Sequence, residues 1–203
     1  NIDEELRNNI LNEYNVRVVS TQDAFSRVEL AGNLDKLEYL LGTRWGSGEF
    51  DGISYMFQGE PSKNLLILGT STAGESNSTY ATFENYIAYI VETYGDEYKI
   101  FYKGHPSYPS SGARLQMFEN YGIQIIPNSI PVETVMLLYP EIYIGGYHGT
   151  SFQSSLPGQT VFFFGTEARV KSNTTLKGMI ESGEIFYNTV YLTVDLNGDV
   201  LPQ

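Results

Sequence analysis

The stretch Tyr98-Lys99-Ile100-Phe101-Tyr102-Lys103-Gly104-His105-Pro106 decides the fold prediction, because it joins a β-strand to a polar loop. Its first five residues are mostly aromatic or β-branched, which is typical of a strand, and Gly104 and Pro106 end the run. The loop carries Lys103, expected to supply a fixed positive charge, and His105, one of two histidines in the chain. Open α/β sheets bind ligands at the carboxyl ends of their strands. The stretch therefore predicts a binding edge, with an exposed turn histidine as the alternative.

Strands and helices alternate on both sides of this stretch, from about residue 65 onward. The apolar run 65–68 predicts a buried strand that leads into a loop of small residues. Further strands are predicted over 98–102, 122–127, 141–144, 160–164 and 190–194, and helices over 83–94, 114–121, 131–138 and 150–156. This alternation implies parallel pairing. We predict an α/β fold, a Rossmann-like doubly wound parallel sheet over residues 64–203, preceded by a small α/β segment over residues 1–63.

Composition excludes several classes of function. The net charge is −12 at pH 7 with no dense block of Lys and Arg, which argues against binding to nucleic acid or to an anionic membrane surface. Cysteine is absent, which excludes disulfides, a thiolate nucleophile and cysteine-ligated zinc. No apolar stretch reaches the roughly 20 residues of a membrane span. We predict a cytoplasmic protein, and leave open a membrane association of a longer chain, since this one begins without Met.

Polar groups cluster at three places where a predicted strand ends. These are the loops over residues 69–72, 103–106 and 149–151, and Glu133 lies between the second and third in the first turn of a helix. Glu133 is also explained by the favourable position of a carboxylate near a helix amino terminus. Likewise Thr150 and Ser151 are explained as helix caps. From the residues alone these alternatives stay open.

In order along the chain, four motifs resemble the nucleotide-donor half of bacterial sialyltransferases, especially glycosyltransferase family 80 and more distantly families 52 and 38. They cover roughly residues 64–165. The motifs are Leu68-Gly69-Thr70-Ser71-Thr72, Phe101-Tyr102-Lys103-Gly104-His105-Pro106, Ile130-Pro131-Val132-Glu133 and Gly145-Gly146-Tyr147-His148-Gly149-Thr150-Ser151-Phe152-Gln153-Ser154-Ser155-Leu156-Pro157.

This resemblance implies a role for each matching position. His105 would contact the phosphate of CMP-sialic acid and help the nucleotide leave, with Lys103 beside it. Glu133 would accept hydrogen bonds from the cytidine ribose, and the hydroxyls of Thr150 and Ser151 would hold the phosphate. The implied donor site comprises Gly69, Thr70, Lys103, His105, Pro106, Glu133, Thr150 and Ser151.

The sequence departs from the family's pattern at three places. Thr150 replaces the first of two serines, and Ala73 stands where Trp often follows the small-residue loop. The family's catalytic base belongs to an acidic-acidic-Gly motif, and the nearest match is Glu49-Phe50-Asp51-Gly52. Asp51 is the candidate base, although an ordinary Asp-Gly turn is the more common explanation. Asp23 is a weaker candidate.

Three further polar residues have two interpretations each. His148 either supports the ligand or is a plain loop residue, and the second is favoured. Arg169 and Lys171 either extend the basic pocket or are surface charges.

The resulting prediction is an inverting sialyltransferase of the two-domain GT-B architecture, or its donor-binding half. It would transfer sialic acid from CMP-sialic acid to an acceptor oligosaccharide or glycolipid, without a metal or other cofactor. Residues 1–63 would then be a partial or reduced acceptor-side region, and a homo-oligomer stays open. The alternatives are a noncatalytic module that binds CMP, a nucleotide-sugar or a glycan, and a GT-B transferase that uses another CMP-linked keto-sugar acid.

Overall fold

The computed structural model describes residues 63–70, 80–108, 110, 112–128 and 130–203, all within one compact unit of the chain. The predicted N-terminal segment, with Asp23 and Asp51, lies outside the described residues, as does Ala73. The first described strand begins at Asn64, where the predicted donor-binding domain also begins. The division at residue 63 stays a prediction.

The described residues contain seven strands in a single sheet. These are β1 (Asn64–Leu68), β2 (Lys99–Lys103), β3 (Gln124–Ile125), β4 (Tyr143–Gly146), β5 (Thr160–Phe164), β6 (Val190–Val194) and β7 (Val200–Pro202). Their order is β3-β2-β1-β4-β5-β6-β7. The first six pair in parallel, and β7 runs antiparallel to β6. The strand order changes direction between β1 and β4, which is where ligands bind in folds of this type.

Helices connect the parallel strands. They are α1 (Tyr80–Tyr94), α2 (Ala113–Asn120), α3 (Val132–Leu138), α4 (Glu167–Val170) and α5 (Thr174–Ser182), with a 3₁₀ helix over Thr150–Ser154. In the part of the chain that the structure describes, no helix is both long and apolar enough to cross a membrane. Because helices separate parallel strands throughout, the predicted α/β fold with a doubly wound, Rossmann-like sheet is confirmed.

The sheet is buried on both faces, which explains the continuous apolar run at 65–68. Leu65 and Ile67 pack on one face in the cluster that contains α1 and α2 side chains. Leu66 and Leu68 pack on the other face, in the cluster that contains α3 and α5 side chains. Alternation of side chains along a strand thus sends each half of the run into a different core.

Several predicted boundaries were wrong. The strand predicted over 122–127 is reduced to Gln124–Ile125, and the strand predicted over 141–144 runs from Tyr143 to Gly146. The second shift has a physical cause, because the buried Gln159 amide donates to the carbonyl oxygens of Pro140 and Ile142. These two carbonyls therefore already have a partner before β4 begins.

Other elements also differ from the prediction. The helix predicted over 150–156 is a 3₁₀ helix that ends at Ser154. Three observed elements, α4, α5 and β7, have no counterpart among the predicted ones.

Gly146 allows β4 to lie close to β1. It has a φ of +133°, and a Cβ built on it would lie 2.2 Å from the carbonyl oxygen of Leu68. A side chain here would strain the backbone and collide with β1, so it would force apart the strands at the switch point.

We expect Gly146→Ala to lower the free energy of unfolding by about 3 kcal/mol or more, measured by urea denaturation. The matched control is Gly178→Ala, in the exposed interior of α5, where an added Cβ meets nothing within 4 Å. That variant should gain roughly 0.5–1 kcal/mol, since Ala favours a helix over Gly. Equal stability of the two variants would contradict the close approach of β4 to β1.

Candidate functional site

A cavity of about 220 Å³ opens at the carboxyl ends of β1, β2 and β4. It therefore occupies the switch point of the sheet. Seven of the eight predicted donor-site residues line the cavity, and Thr70 does not. The seven are Gly69, Lys103, His105, Pro106, Glu133, Thr150 and Ser151. The structure thus brings together residues from four separate motifs, while their roles stay predictions.

Backbone hydrogen bonds hold the loops around this cavity. The Gly69 amide donates to the carbonyl oxygen of Lys103 at 2.9 Å, and the Tyr147 amide donates to that of Leu68 at 3.1 Å. These bonds continue the strand pairing beyond β1, so the loops after β1, β2 and β4 begin at the same level.

The imidazole of His105 is held by its own loop. Its Nδ1 accepts a hydrogen bond from the Ser107 amide at 3.1 Å, and its ring lies 5.1 Å from the Tyr108 ring. A nitrogen that accepts an N–H carries no proton of its own, so the neutral ring has its proton on Nε2. Protonation of Nδ1 would direct two N–H groups at each other. This contact leaves Nε2 as the ring nitrogen of His105 that can donate a hydrogen bond.

Lys103 ends β2 with its side chain inside the protein, and the residue is only 3% exposed. Its ammonium donates to the carbonyl oxygens of Gly104 at 2.9 Å and Asn128 at 3.4 Å. Burial lowers the pKa of Lys103 to about 8, although the Glu133 carboxylate acts in the opposite direction. The positive charge expected of Lys103 is therefore mostly present at pH 7, and it is lost as the pH rises through about 8.

Glu133 and Ser151 form a short contact across the cavity. The Ser151 hydroxyl donates to Oε1 of Glu133 at 2.7 Å. The amino-terminal cap of the 3₁₀ helix is Gly149, with no side-chain cap, so Thr150 and Ser151 do not cap this helix as the alternative explanation required. Glu133 does lie in the first turn of α3, where the helix dipole favours it. Its carboxylate therefore lies at the amino terminus of α3, where it favours the helix, and also lines the cavity.

Three of the remaining candidate residues, His148, Arg169 and Lys171, are not among the residues that line the cavity. His148 does not line it, and burial, followed by the charge of Arg169, lowers the pKa of this imidazole. Arg169 and Lys171 do not line it either, and Lys171 pairs with Glu167 at 2.9 Å. Asp51, the predicted base, lies outside the described residues.

Sequence reasoning missed Asn128 and Ser107, two residues that hold the site in place. Asn128 contacts both His105 and Lys103, and Ser107 acts through its backbone amide. Because the contact of Ser107 is made by the backbone, the type of residue at that position does not reveal it. The only available signal for Asn128 was its place in a short loop after a predicted strand.

Comparison with known proteins gives a structural likeness and no sequence match. No model of a protein family matches this chain, and no curated protein does. Its structure is similar to those of bacterial sialyltransferases. The α/β-galactoside α-2,3-sialyltransferase of Photobacterium phosphoreum has 20% sequence identity and a TM-score of 0.49, over 69% of this chain and 39% of that enzyme.

Two further structures are similar to the same extent. The GT-B domain of a Photobacterium damselae sialyltransferase has 17% identity and a TM-score of 0.45, over 70% of this chain and 41% of that one. The third structure is a Photobacterium 2,6-sialyltransferase in a ternary complex with the donor product CMP and the acceptor substrate lactose. It has 21% identity and a TM-score of 0.44, over 70% of this chain and 32% of that enzyme. This chain therefore spans about a third to two fifths of the length of these enzymes.

The buried ammonium of Lys103 makes a testable contribution to stability. Its pKa in the folded protein, about 8, lies below the ordinary value of 10.5, so protonation penalises the folded state. This penalty is complete below pH 8 and disappears as the pH rises toward 10.5. Relative to Lys103→Met, we expect the free energy of unfolding of the wild-type protein to rise by up to about 3 kcal/mol across that window.

Urea denaturation at a series of pH values measures this difference. Lys177→Met is the matched control, because the Lys177 side chain is exposed. That control should show no comparable pH dependence. A constant difference between the wild-type protein and Lys103→Met from pH 7 to pH 10 would contradict the account of Lys103.

Proposed function

We propose that the cavity binds the CMP part of a CMP-linked sugar acid, and that the chain is the donor-binding part of an inverting sialyltransferase. The observation that carries this proposal is the convergence of motif residues from four loops on one cavity at the switch point. A nucleotide is the kind of ligand that such a position in a doubly wound sheet accommodates.

The phosphate of CMP would lie among groups that donate hydrogen bonds or carry positive charge. Thr150 supplies a hydroxyl at the start of the 3₁₀ helix, His105 supplies the Nε2 proton, and Lys103 supplies its ammonium. At pH 7 the Lys103 ammonium is mostly charged, since its pKa is about 8. Its burial strengthens its attraction for an anion, because a low dielectric screens charge poorly.

Glu133 would bind the ribose. Its Oε1 accepts a hydrogen bond from the Ser151 hydroxyl, which leaves the other oxygen for a ribose hydroxyl. If the Ser151 hydroxyl turns to the phosphate, both Glu133 oxygens become available to the ribose. The single bond between Ser151 and Glu133 would thus couple recognition of the phosphate to recognition of the sugar.

In the proposed transfer, an acceptor hydroxyl attacks the anomeric carbon of sialic acid from the face opposite the phosphate. The bond from that carbon to the phosphate oxygen breaks, and its electron pair leaves with CMP. His105 and Lys103 stabilise the charge that develops on the phosphate. Asp51 would take the proton of the acceptor hydroxyl. No metal or other cofactor takes part in this scheme, and the acceptor would be an oligosaccharide or a glycolipid.

One observation favours a noncatalytic binding module as the second candidate. Among the described residues that line the cavity, Glu133 is the only carboxylate, and it is bonded to Ser151. The proposal already assigns this carboxylate to the ribose, so none of these residues is left to act as a base for transfer. A transferase with another CMP-linked keto-sugar acid as donor would use the same contacts to CMP.

We expect calorimetric titration to give saturable binding of CMP to the purified chain. His105→Ala should weaken that binding by about tenfold or more, since it removes a hydrogen bond to a charged group. The control is Lys177→Met, because the Lys177 side chain is exposed on α5 and does not line the cavity, and this variant should stay within about twofold of the wild-type affinity. Absence of CMP binding, or equal loss in both variants, would contradict the proposed site.

A separate assay distinguishes the enzyme from the binding module. Transfer from CMP-sialic acid to lactose is followed by chromatography of the products. Binding of CMP together with transfer that Asp51→Asn abolishes supports the transferase. Binding without transfer supports the noncatalytic module.

A further inference from the structure

We infer that Asn128 is a positioning residue that holds the loop of His105, so that Nδ1 of the ring accepts from Ser107 and Nε2 is the nitrogen that donates. The contacts that carry this inference lie within the chain itself. Its consequence for donor binding rests on the function proposed above.

Asn128 contacts two groups of the cavity through different atoms. Its side-chain amide Nδ2 donates to the carbonyl oxygen of His105 at 3.2 Å. Its own carbonyl oxygen accepts from Nζ of Lys103 at 3.4 Å. A side-chain substitution therefore removes the contact with His105 and retains the backbone acceptor for Lys103.

The turn that carries Asn128 is anchored at both ends. On one side the Ile126 amide donates to the carbonyl oxygen of Tyr102 at 2.9 Å, which continues the pairing of β3 with β2. On the other side the Ile130 amide donates to Pro127 at 3.2 Å. Ile126 and Ile130 are both fully buried. Asn128 is thus presented from a fixed part of the core.

Gly104 leaves the space that the Asn128 side chain occupies. A Cβ built on Gly104 would lie 3.3 Å from Oδ1 of Asn128, a tight contact. The amide therefore lies close against the peptide that joins Lys103 to His105. This close approach accounts for a glycine between the two polar residues.

Hydrogen bonds hold both the backbone and the ring of His105. Asn128 holds its backbone carbonyl, and the Ser107 amide holds Nδ1 of its ring. The carbonyl also accepts from the Tyr108 amide at 3.0 Å, so removal of Asn128 loosens this loop without removing all its anchors. A loosened loop lets the ring leave Ser107, and the preference for the proton on Nε2 is then lost.

Nitrogen NMR of the full chain, labelled with 15N in histidine, tests the inference without any ligand. The chain has two histidines, and His148→Gln assigns their signals. In the wild-type protein, His105 should show the shifts of an imidazole that is protonated at Nε2. In Asn128→Ala, the two ring nitrogens should move toward averaged values.

Two further variants make this test specific. Asn128→Asp keeps the side-chain volume beside Gly104 but cannot donate to His105, so it should resemble Asn128→Ala and gives a second variant if Ala folds poorly. Asn120→Ala is the matched control, because the Asn120 side chain accepts a hydrogen bond from Gln116 on the exposed face of α2. It should leave the His105 signals unchanged. Wild-type His105 signals in both Asn128 variants would overturn the inference.

A double-mutant cycle on CMP affinity links Asn128 to binding. Asn128→Ala alone should weaken CMP binding about fivefold, and it should add nothing in the His105→Ala background. If the losses of CMP affinity from the two substitutions are additive, Asn128 does not act through His105 and the inference is overturned. If the wild-type protein binds no CMP but the NMR signals change as expected, the positioning role stands and the proposed function fails. If CMP binding depends on His105 while Asn128→Ala changes neither readout, the positioning role alone fails.

Discussion

β1 pairs in parallel with β2 on one side and with β4 on the other, and every group in the cavity depends on this arrangement. Leu68, the last residue of β1, lies opposite Lys103 at the end of β2 and opposite Gly146 at the end of β4. All three strands therefore stop at the same level. The loops that follow them start side by side, and the start of α3 brings Glu133 to the same place. A shift of either pairing would separate Lys103 and His105 from Thr150 and Ser151.

A buried cation next to this edge gives the cavity its electrostatic character. Lys103 is removed from water but has two carbonyl acceptors, and Glu133 favours its charged form. Such a group costs stability in the folded protein, since burial penalises its charge. The same burial strengthens its attraction for an anionic ligand. Functional sites often depart in this way from the preferences that favour folding, such as keeping charged groups in water.

Much of the fold could be predicted from hydrophobic pattern, because it depends on local sequence. The strand Val190–Val194 was predicted with its observed bounds, and the buried strand at 65–68 differs by only one residue. Tertiary contacts caused the failures. Gln159 displaces the start of β4, and the packing of Gly146 against Leu68 continues that strand into a predicted loop.

The chemistry of the site was predictable in part. The motifs indicated which residues would meet, and seven of eight predicted donor-site residues line one cavity. Burial determines the charge state of Lys103, and a backbone amide determines the proton position of His105, so neither followed from residue identity. The role of Asn128 depends on a turn whose ends are tied to β2 and to the core. The base assigned to Asp51 stays a prediction, since that residue lies outside the described part of the chain.

A crystal structure of the chain with bound CMP tests the central claim most directly. The account predicts CMP in the cavity at the ends of β1, β2 and β4. Its phosphate should contact the Thr150 hydroxyl and Nε2 of His105, and its ribose should contact Glu133. CMP bound elsewhere on the protein, or bound in the cavity with its phosphate away from His105, would contradict the account.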